Sequence, residues 1–274
     1  MQNVVIRAIE RLDFRTKEAY KTLRTNLSFA GKNVKVISLT SCTPNEGKTS
    51  VSFQLCLSLA ESGKQTILVD ADLRKSVLRG RYKANREKYG LSHYLSGQVE
   101  LDDACCRTNV NNFDIIFAGP VPPNPSELLG GDAFRNMLEV LRMKYDYVIV
   151  DTPPLGSVID AAIVGAICDG TVIVVESGAI SYKFVQNVKE QLNKVGCRIL
   201  GCVLNKVNTK KNPYYYYGKY YGHYYGNYYG NGQDGTEEAQ EDLTPDAGSK
   251  TDGTAAETKT AVPGQNTGEK ESAK

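Results

Sequence analysis

"VKVISLTSCTPNEGKTSVSFQLCLSLAESG", residues 34–63, decides the fold. A short β-branched run at 34–40 passes through a glycine-containing turn into a longer stretch of helical apolar periodicity. It reads as strand, loop, helix. The loop "SCTPNEGKTS" (41–50) ends in Gly47-Lys48-Thr49. Gly47 lets backbone N–H groups turn toward phosphate oxygens, and the N-terminus of the following helix is a ready anion site. Lys48 brings a mobile positive charge to the outer phosphates, and the Thr49 hydroxyl is placed to ligate Mg²⁺. Asn45, Glu46 and Ser50 complete the set of nucleotide-binding loop residues with Gly47, Lys48 and Thr49. Cys42 stands five residues before Gly47, where such loops usually begin with glycine.

Further strands follow the same rhythm. "QTILVDAD" (65–72), "FDIIFAG" (113–119), "YVIVDTPP" (147–154), "GTVIVVES" (170–177) and "RILGCVLNKV" (198–207) are apolar runs of strand length. Helical patterns separate them: "SELLGGDAFRNMLEVLRMKYD" (126–146) reads as one helix, and 182–196 places Phe184, Val188, Leu192 and Val195 on one face. Continuous rather than alternating apolar strands imply a mostly parallel sheet with helices on both faces, an α/β fold. Parallel strands end on the same side, so Asp70, Asp72 and Asp151 share a rim with the phosphate loop. A Mg–nucleotide needs such carboxylates, some for the metal and one to take a proton from the nucleophile. One strand-end Asp alone is as readily a helix cap; three beside one phosphate loop define a nucleoside-triphosphate site. Asn205 ends the last strand, where its amide reads a base edge or closes a turn.

Composition divides the chain. Residues 231–274 hold ten acidic and four basic side chains with one Leu and one Val, too little apolar surface to offset ordering. This tail is expected to be disordered. The remaining 29 basic and 21 acidic residues leave a modestly basic body, suited to phosphate-rich ligands. The seven cysteines are odd in number, lack C-x-x-C spacing and lie mostly in apolar runs, as reduced, buried thiols of a cytoplasmic protein would. No run has signal-peptide or transmembrane character, so direct membrane insertion is not expected. Residues 14–30 read as an amphipathic helix with Ala19, Leu23 and Leu27 on one face and Glu18, Lys21 and Arg24 beside it. The division expected is 1–30 for oligomerisation, 31–212 for the nucleotide-binding domain, 213–230 for a tyrosine-rich cluster and 231–274 for the acidic tail.

The P-loop ending "EGKT", then "LVDADLR", then "VIVDTPP", resembles the Walker A, A′ and B set of the bacterial tyrosine kinases, whose wider relatives are the MinD/ParA-type ATPases. "PPNPSELL" (122–129), "EAYKTLRTN" (18–26) and "PYYYYGKYYGHYYGNYYG" (213–230) resemble further stretches of that family. The resemblance implies ATP- and Mg²⁺-dependent phosphorylation of protein tyrosine, including the enzyme's own tail. It assigns phosphate binding to Lys48 and metal ligation to Thr49. The carboxylate roles fall on Asp70 as base and on Asp72 and Asp151 for Mg²⁺, with Asp70 and Asp72 exchangeable. It also implies ring-like homo-oligomers held through Glu18, Lys21 and Arg24, where the family pattern has Arg at the middle position. Lys21 keeps the charge but loses the bidentate fork. The implied setting is a kinase at the inner face of the cell membrane, activated by a separate transmembrane adaptor, that acts in capsular or exopolysaccharide production. Protein tyrosines are the expected substrates and nucleic acid is not an expected partner.

Ten of the 17 tyrosines fall in residues 214–229: Tyr214, Tyr215, Tyr216, Tyr217, Tyr220, Tyr221, Tyr224, Tyr225, Tyr228 and Tyr229. Gly218, Gly222, Gly226 and Gly230 recur between them and leave each phenol exposed on a mobile segment. Such a tail presents many phenols in turn to one site, and full phosphorylation adds on the order of −15 to −20 charges. Two other readings compete: a MinD/ParA-type switch in which ATP controls partner association, and a scaffold whose tyrosine tail is adhesive. Thr43 stands where the switch proteins commonly carry an extra lysine, which counts against the first.

Overall fold

The computed structural model describes residues 1–85 and 88–208. The tyrosine cluster, the acidic tail and the last residues of the expected nucleotide-binding domain lie outside these described residues. The elements, in chain order, begin with β1 (Gln2–Val4), α1 (Phe14–Phe29), β2 (Val36–Ser41), α2 (Lys48–Glu61) and β3 (Thr66–Asp70). Short helices α3 (Leu78–Arg81), α4 (Leu91–Leu95) and α5 (Leu101–Ala104) lead to β4 (Cys106–Thr108) and β5 (Phe113–Ile116). Then come α6 (Pro125–Gly130), α7 (Asp132–Lys144), β6 (Tyr147–Asp151), α8 (Asp160–Gly165), β7 (Gly170–Glu176), α9 (Tyr182–Lys194) and β8 (Ile199–Asn205).

Among the described residues the strands form one eight-stranded sheet in the order β1-β4-β5-β3-β6-β2-β7-β8. Every pairing is parallel except β4 with β5. The reason for the continuous apolar strands is visible residue by residue. Ile37, Leu39, Leu68 and Ile149 pack into a core on one face, whereas Val36, Ile67, Val69, Val148 and Val150 pack into a second core on the other. Successive side chains point to opposite faces, so a strand covered twice is apolar throughout.

Helix α2 is the central support of the first face. Residues 51–60 are all buried, and Phe53 stacks on Tyr82 with centroids 3.6 Å apart and meets Phe113 edge-on at 5.4 Å. The second face is covered by Phe134, Met137, Leu138 and Leu141 of α7.

Several local expectations change. The helix read at 126–146 is two helices, because Gly131 is extended (φ −78°, ψ 164°) between α6 and α7. The strand read at 113–119 ends at Ile116, since the carbonyls of Phe117 and Ala118 turn to accept from Leu91 and Ser92. On α1 the inward face is Tyr20, Leu23 and Leu27, and Ala19 is exposed. On α9, Val188 and Leu192 are buried, while Phe184 and Val195 stay 36 % and 43 % exposed.

The first thirty residues join the sheet and its cover. β1 pairs with β4, and Leu27 belongs to the same core as α2. Within this chain Arg24 donates to the Ser58 carbonyl at 2.6 Å, and Lys21 pairs with Glu18 at 2.7 Å. Among the described residues no helix is long and apolar enough to cross a membrane. Five of the seven cysteines are buried, with Cys168 half-buried and Cys202 exposed.

Candidate active site

The site sits where β2, β3 and β6 end. The chain leaving β2 must reverse tightly into α2, and two residues take left-handed backbone to do so: Asn45 (φ 69°) and Gly47 (φ 88°). Gly47 is the N-cap of α2, and a side chain there would meet Asn205 Nδ2 at 2.2 Å. Glycine is therefore required both by backbone geometry and by space. Cys42 is accommodated because its side chain is buried in the core formed with Leu155, Ala161, Ile173 and Val175. Burial there pushes its thiol up to about 12.

The loop is braced from within. The buried carboxylate of Glu46 accepts from the Thr43 amide, from Thr43 Oγ1 at 3.0 Å and from the Glu176 amide at 3.0 Å. Its charge is turned inward, so Glu46 offers a phosphate its backbone rather than its side chain. Asn205 Nδ2 donates to the Glu46 carbonyl at 2.9 Å, and Lys206 Nζ donates to the Asn45 carbonyl at 2.7 Å and pairs with Glu176 at 2.8 Å. The contact of Asn205 is thus with the loop backbone. Ser50 accepts from Arg81 at 2.6 Å.

Lys48 and the carboxylates converge. Lys48 Nζ lies 2.8 Å from Asp151 Oδ1 and 3.3 Å from Thr49 Oγ1. Ser52, one turn along α2, donates to the same Asp151 oxygen at 3.1 Å. Asp70 and Asp151 are register partners on neighbouring strands β3 and β6. Burial, then the Asp151 charge, raises Asp70 to about 7, against the opposing pull of the Ser76 hydroxyl and Lys48. Ser76 donates to Asp70 Oδ2, and the Asp72 amide donates to Asp70 Oδ1 at 3.3 Å. Asp72 lies beyond the strand, half-buried, with Oδ1 accepting from the Lys75 amide at 2.9 Å.

Ser52 and Ser76 carry no sequence signal of their own, and Arg74 carries one only as the last residue of a motif. Ser52 was findable only by counting one helical turn from Lys48. Arg74 ends "LVDADLR" and clamps this loop: its guanidinium meets the fully buried Asp160 at 2.7 and 3.1 Å and Ser126 at 2.9 Å. Burial raises the Asp160 carboxyl, but Arg74 and Ser126 outweigh it and hold it below the usual range. Removing the guanidinium strands that carboxylate. Arg74→Met is expected to lose about 2–3 kcal/mol in urea unfolding, less than a fully buried pair because Arg74 is 39 % exposed.

The donor set fits a Mg–nucleotide. The left-handed turn at Asn45 and Gly47 aims backbone amides, Lys48 supplies the cation, and Thr49 and the acidic strand ends supply oxygens. Among the described residues no group of three or more His, Cys, Asp or Glu side chains makes a metal cage, and Mg²⁺ bound with a nucleotide needs only one or two carboxylates plus phosphates.

A mostly parallel sheet, a phosphate loop opening α2 and acidic strand ends beside it define a P-loop nucleotide-binding protein. The AAA-domain family matches residues 34–200. The tyrosine-protein kinase CpsD of Streptococcus agalactiae is 44 % identical over 204 residues, spanning 74 % of this chain and 89 % of its own. The kinase domain of the Escherichia coli tyrosine kinase ETK superimposes with TM-score 0.68 at 36 % identity, covering 73 % of this chain and 82 % of that one. The septum site-determining protein MinD from Pyrococcus horikoshii, solved with Mg-ADP, gives TM-score 0.53 at 26 % identity over 62 % of this chain and 69 % of that one. This chain belongs to the bacterial tyrosine-protein kinases.

Proposed function

We propose that the chain transfers the γ-phosphoryl group of Mg–ATP to protein tyrosines, including those within its own residues 214–229. The observation that carries this reading is the single cluster of Lys48, Asp151 and Asp70 at paired strand ends: a cation for the phosphates, a carboxylate for the metal and a carboxylate that titrates near neutrality. Bound Mg–ATP supplies the phosphoryl group and neutralises its charge. Asp70 accepts the tyrosine hydroxyl proton while the phenol oxygen bonds to phosphorus and ADP departs. Lys48 would hold the outer phosphates, and Asp151, Thr49 and Asp72 would hold Mg²⁺, which would neutralise charge on the transferring group. Asp72 is the alternative base, and Asn205 the alternative contact to the nucleotide base.

The same reading takes the tail of one subunit into the site of the next, in a homo-oligomer that uses Glu18, Lys21 and Arg24, with a transmembrane adaptor as activator and polysaccharide production as the setting. Phosphorylation of the tails then loads like charge onto neighbouring subunits and loosens the assembly. The test uses the full chain with its ten tail tyrosines changed to Phe. Mg–ATP is expected to leave phosphotyrosine on the parent and to reduce its assembly size, and to do neither to the variant. Equal phosphotyrosine on both proteins would overturn tail phosphorylation. Equal assembly sizes would overturn the loosening.

A further inference from the structure

The phosphoryl-transfer chemistry leaves one large feature unused. A cavity of about 930 Å³ opens at the carboxyl edge of the sheet, formed by residues of 76–81, 88–93 and 117–120. Ser76 is part of its lining and also donates to Asp70, so the cavity begins beside the group assigned as base. Among its described lining residues Arg79, Arg81 and Lys88 are cationic and none is Asp or Glu. The wall is also aromatic: Lys88 Nζ lies 4.9 Å from the centre of the Tyr89 ring, which meets His93 edge-on at 5.6 Å. His93 Nδ1 accepts from the Gly90 amide at 3.1 Å, which leaves its Nε2 as the hydrogen-bond donor. The wall keeps its shape by close packing. A side chain on Gly90 would meet the Phe117 carbonyl at 2.6 Å, and one on Gly119 would meet Ser92 Oγ at 2.6 Å.

The cations, donors and rings of these described residues suit an anion carried on an aromatic group. The volume lies within the range of pockets that hold a small organic group, well beyond a lone phosphate. The chain's own sequence supplies the precursor of such a group. Its tail tyrosines come as the run 214–217 and the adjacent pairs 220/221, 224/225 and 228/229, so every one has other tyrosines within one to four positions. Four extended residues reach about 14 Å, a span suited to two adjoining sites.

We propose that this cavity is a phosphotyrosine subsite: it holds a tail tyrosine already phosphorylated while a neighbouring tyrosine of the same tail meets Asp70. The proposal rests on the kinase reading above and adds an order to it. The first phosphate is the slow one; later ones follow while that residue is held, and the assembly loosens only once the accumulated charge outweighs the hold of one subsite.

The test is a binding measurement on the full chain saturated with Mg-ADP, which occupies the P-loop and prevents turnover. Two fluorescent peptides of residues 219–230 are compared, one unmodified and one phosphorylated at Tyr224. The phosphorylated peptide is expected to bind about tenfold more tightly, as charge-assisted bonds to Arg and Lys give. Arg79→Gln with Lys88→Gln is expected to abolish that ratio and leave the unmodified peptide's affinity in place. Arg81 is left intact because it donates to Ser50. A matching melting temperature and Mg-ADP affinity show that the variant is folded. Equal affinity of the two peptides for the parent chain, or a preference that survives the double substitution, overturns the subsite. Phosphotyrosine formation on a tail with one tyrosine, measured separately with Mg–ATP, decides the kinase reading independently.

Discussion

Lys48→Met is expected to lower tyrosine phosphorylation by about a thousandfold, because phosphoryl transfer is catalysed by positioning and charge rather than by covalent chemistry. The same substitution has a second effect that must be separated from the first. Lys48 and Asp151 are both nearly inaccessible, with side chains 7 % and 1 % exposed and 2.8 Å apart. Methionine removes the cation and leaves a buried carboxylate with only the Ser52 hydroxyl for support, a loss of about 3 kcal/mol. A drop in activity could then be unfolding in disguise. The double variant Lys48→Met, Asp151→Asn resolves it, since a neutral amide needs no cation. Its melting temperature is expected to recover most of what the single variant loses, while phosphorylation stays absent. Recovery of activity along with stability would show that Lys48 serves the fold and not the phosphates.

The arrangement that makes this prediction possible was largely legible in the sequence, and what was not has physical reasons. The long strands announce themselves because both faces are covered, so Val36, Ile37 and Leu39 need no alternation to be recognised. β1 and β4 are three residues each, too short for any periodicity to rise above its surroundings. Helix 126–146 reads as continuous because its apolar spacing carries across Gly130-Gly131, and only backbone conformation reveals the break. At the site, the types and spacing of Lys48, Asp70 and Asp151 identify the chemistry, yet sequence says nothing about which way a side chain turns. Glu46 and Cys42 lie in the phosphate loop, and both turn inward, one to brace the loop and the other into the core. Asn205 meets the loop backbone by the same kind of contact that sequence cannot show.

Asp70 carries the second large effect, and its pH dependence distinguishes a base from a metal ligand. A carboxyl raised to about 7 is half protonated near neutrality, and only the ionised form accepts a proton from tyrosine. Mg²⁺ on Asp151 offsets one of the charges that raise it, so the phosphorylation rate of the parent is expected to rise with pH along a limb at or below 7 and then level off. Asp70→Asn is expected to lose about a hundredfold to a thousandfold and, more tellingly, to lose that limb of the profile. Stability should move the other way. Because the folded-state value lies above the unfolded one of 3.8, folding favours the neutral acid, and that contribution is fully present below about 4 and lost as pH rises through 7. Above pH 7 the native protein thus holds a buried charge facing that of Asp151, which Asn does not. The variant is expected to melt no lower than the parent at pH 8 and to gain on it between pH 6 and 8, after allowance for the weakened Ser76 bond. An inactive Asp70→Asn protein that keeps the same pH limb would move the proton acceptor elsewhere, and Asp72, whose amide already bonds to Asp70, is the next residue to change.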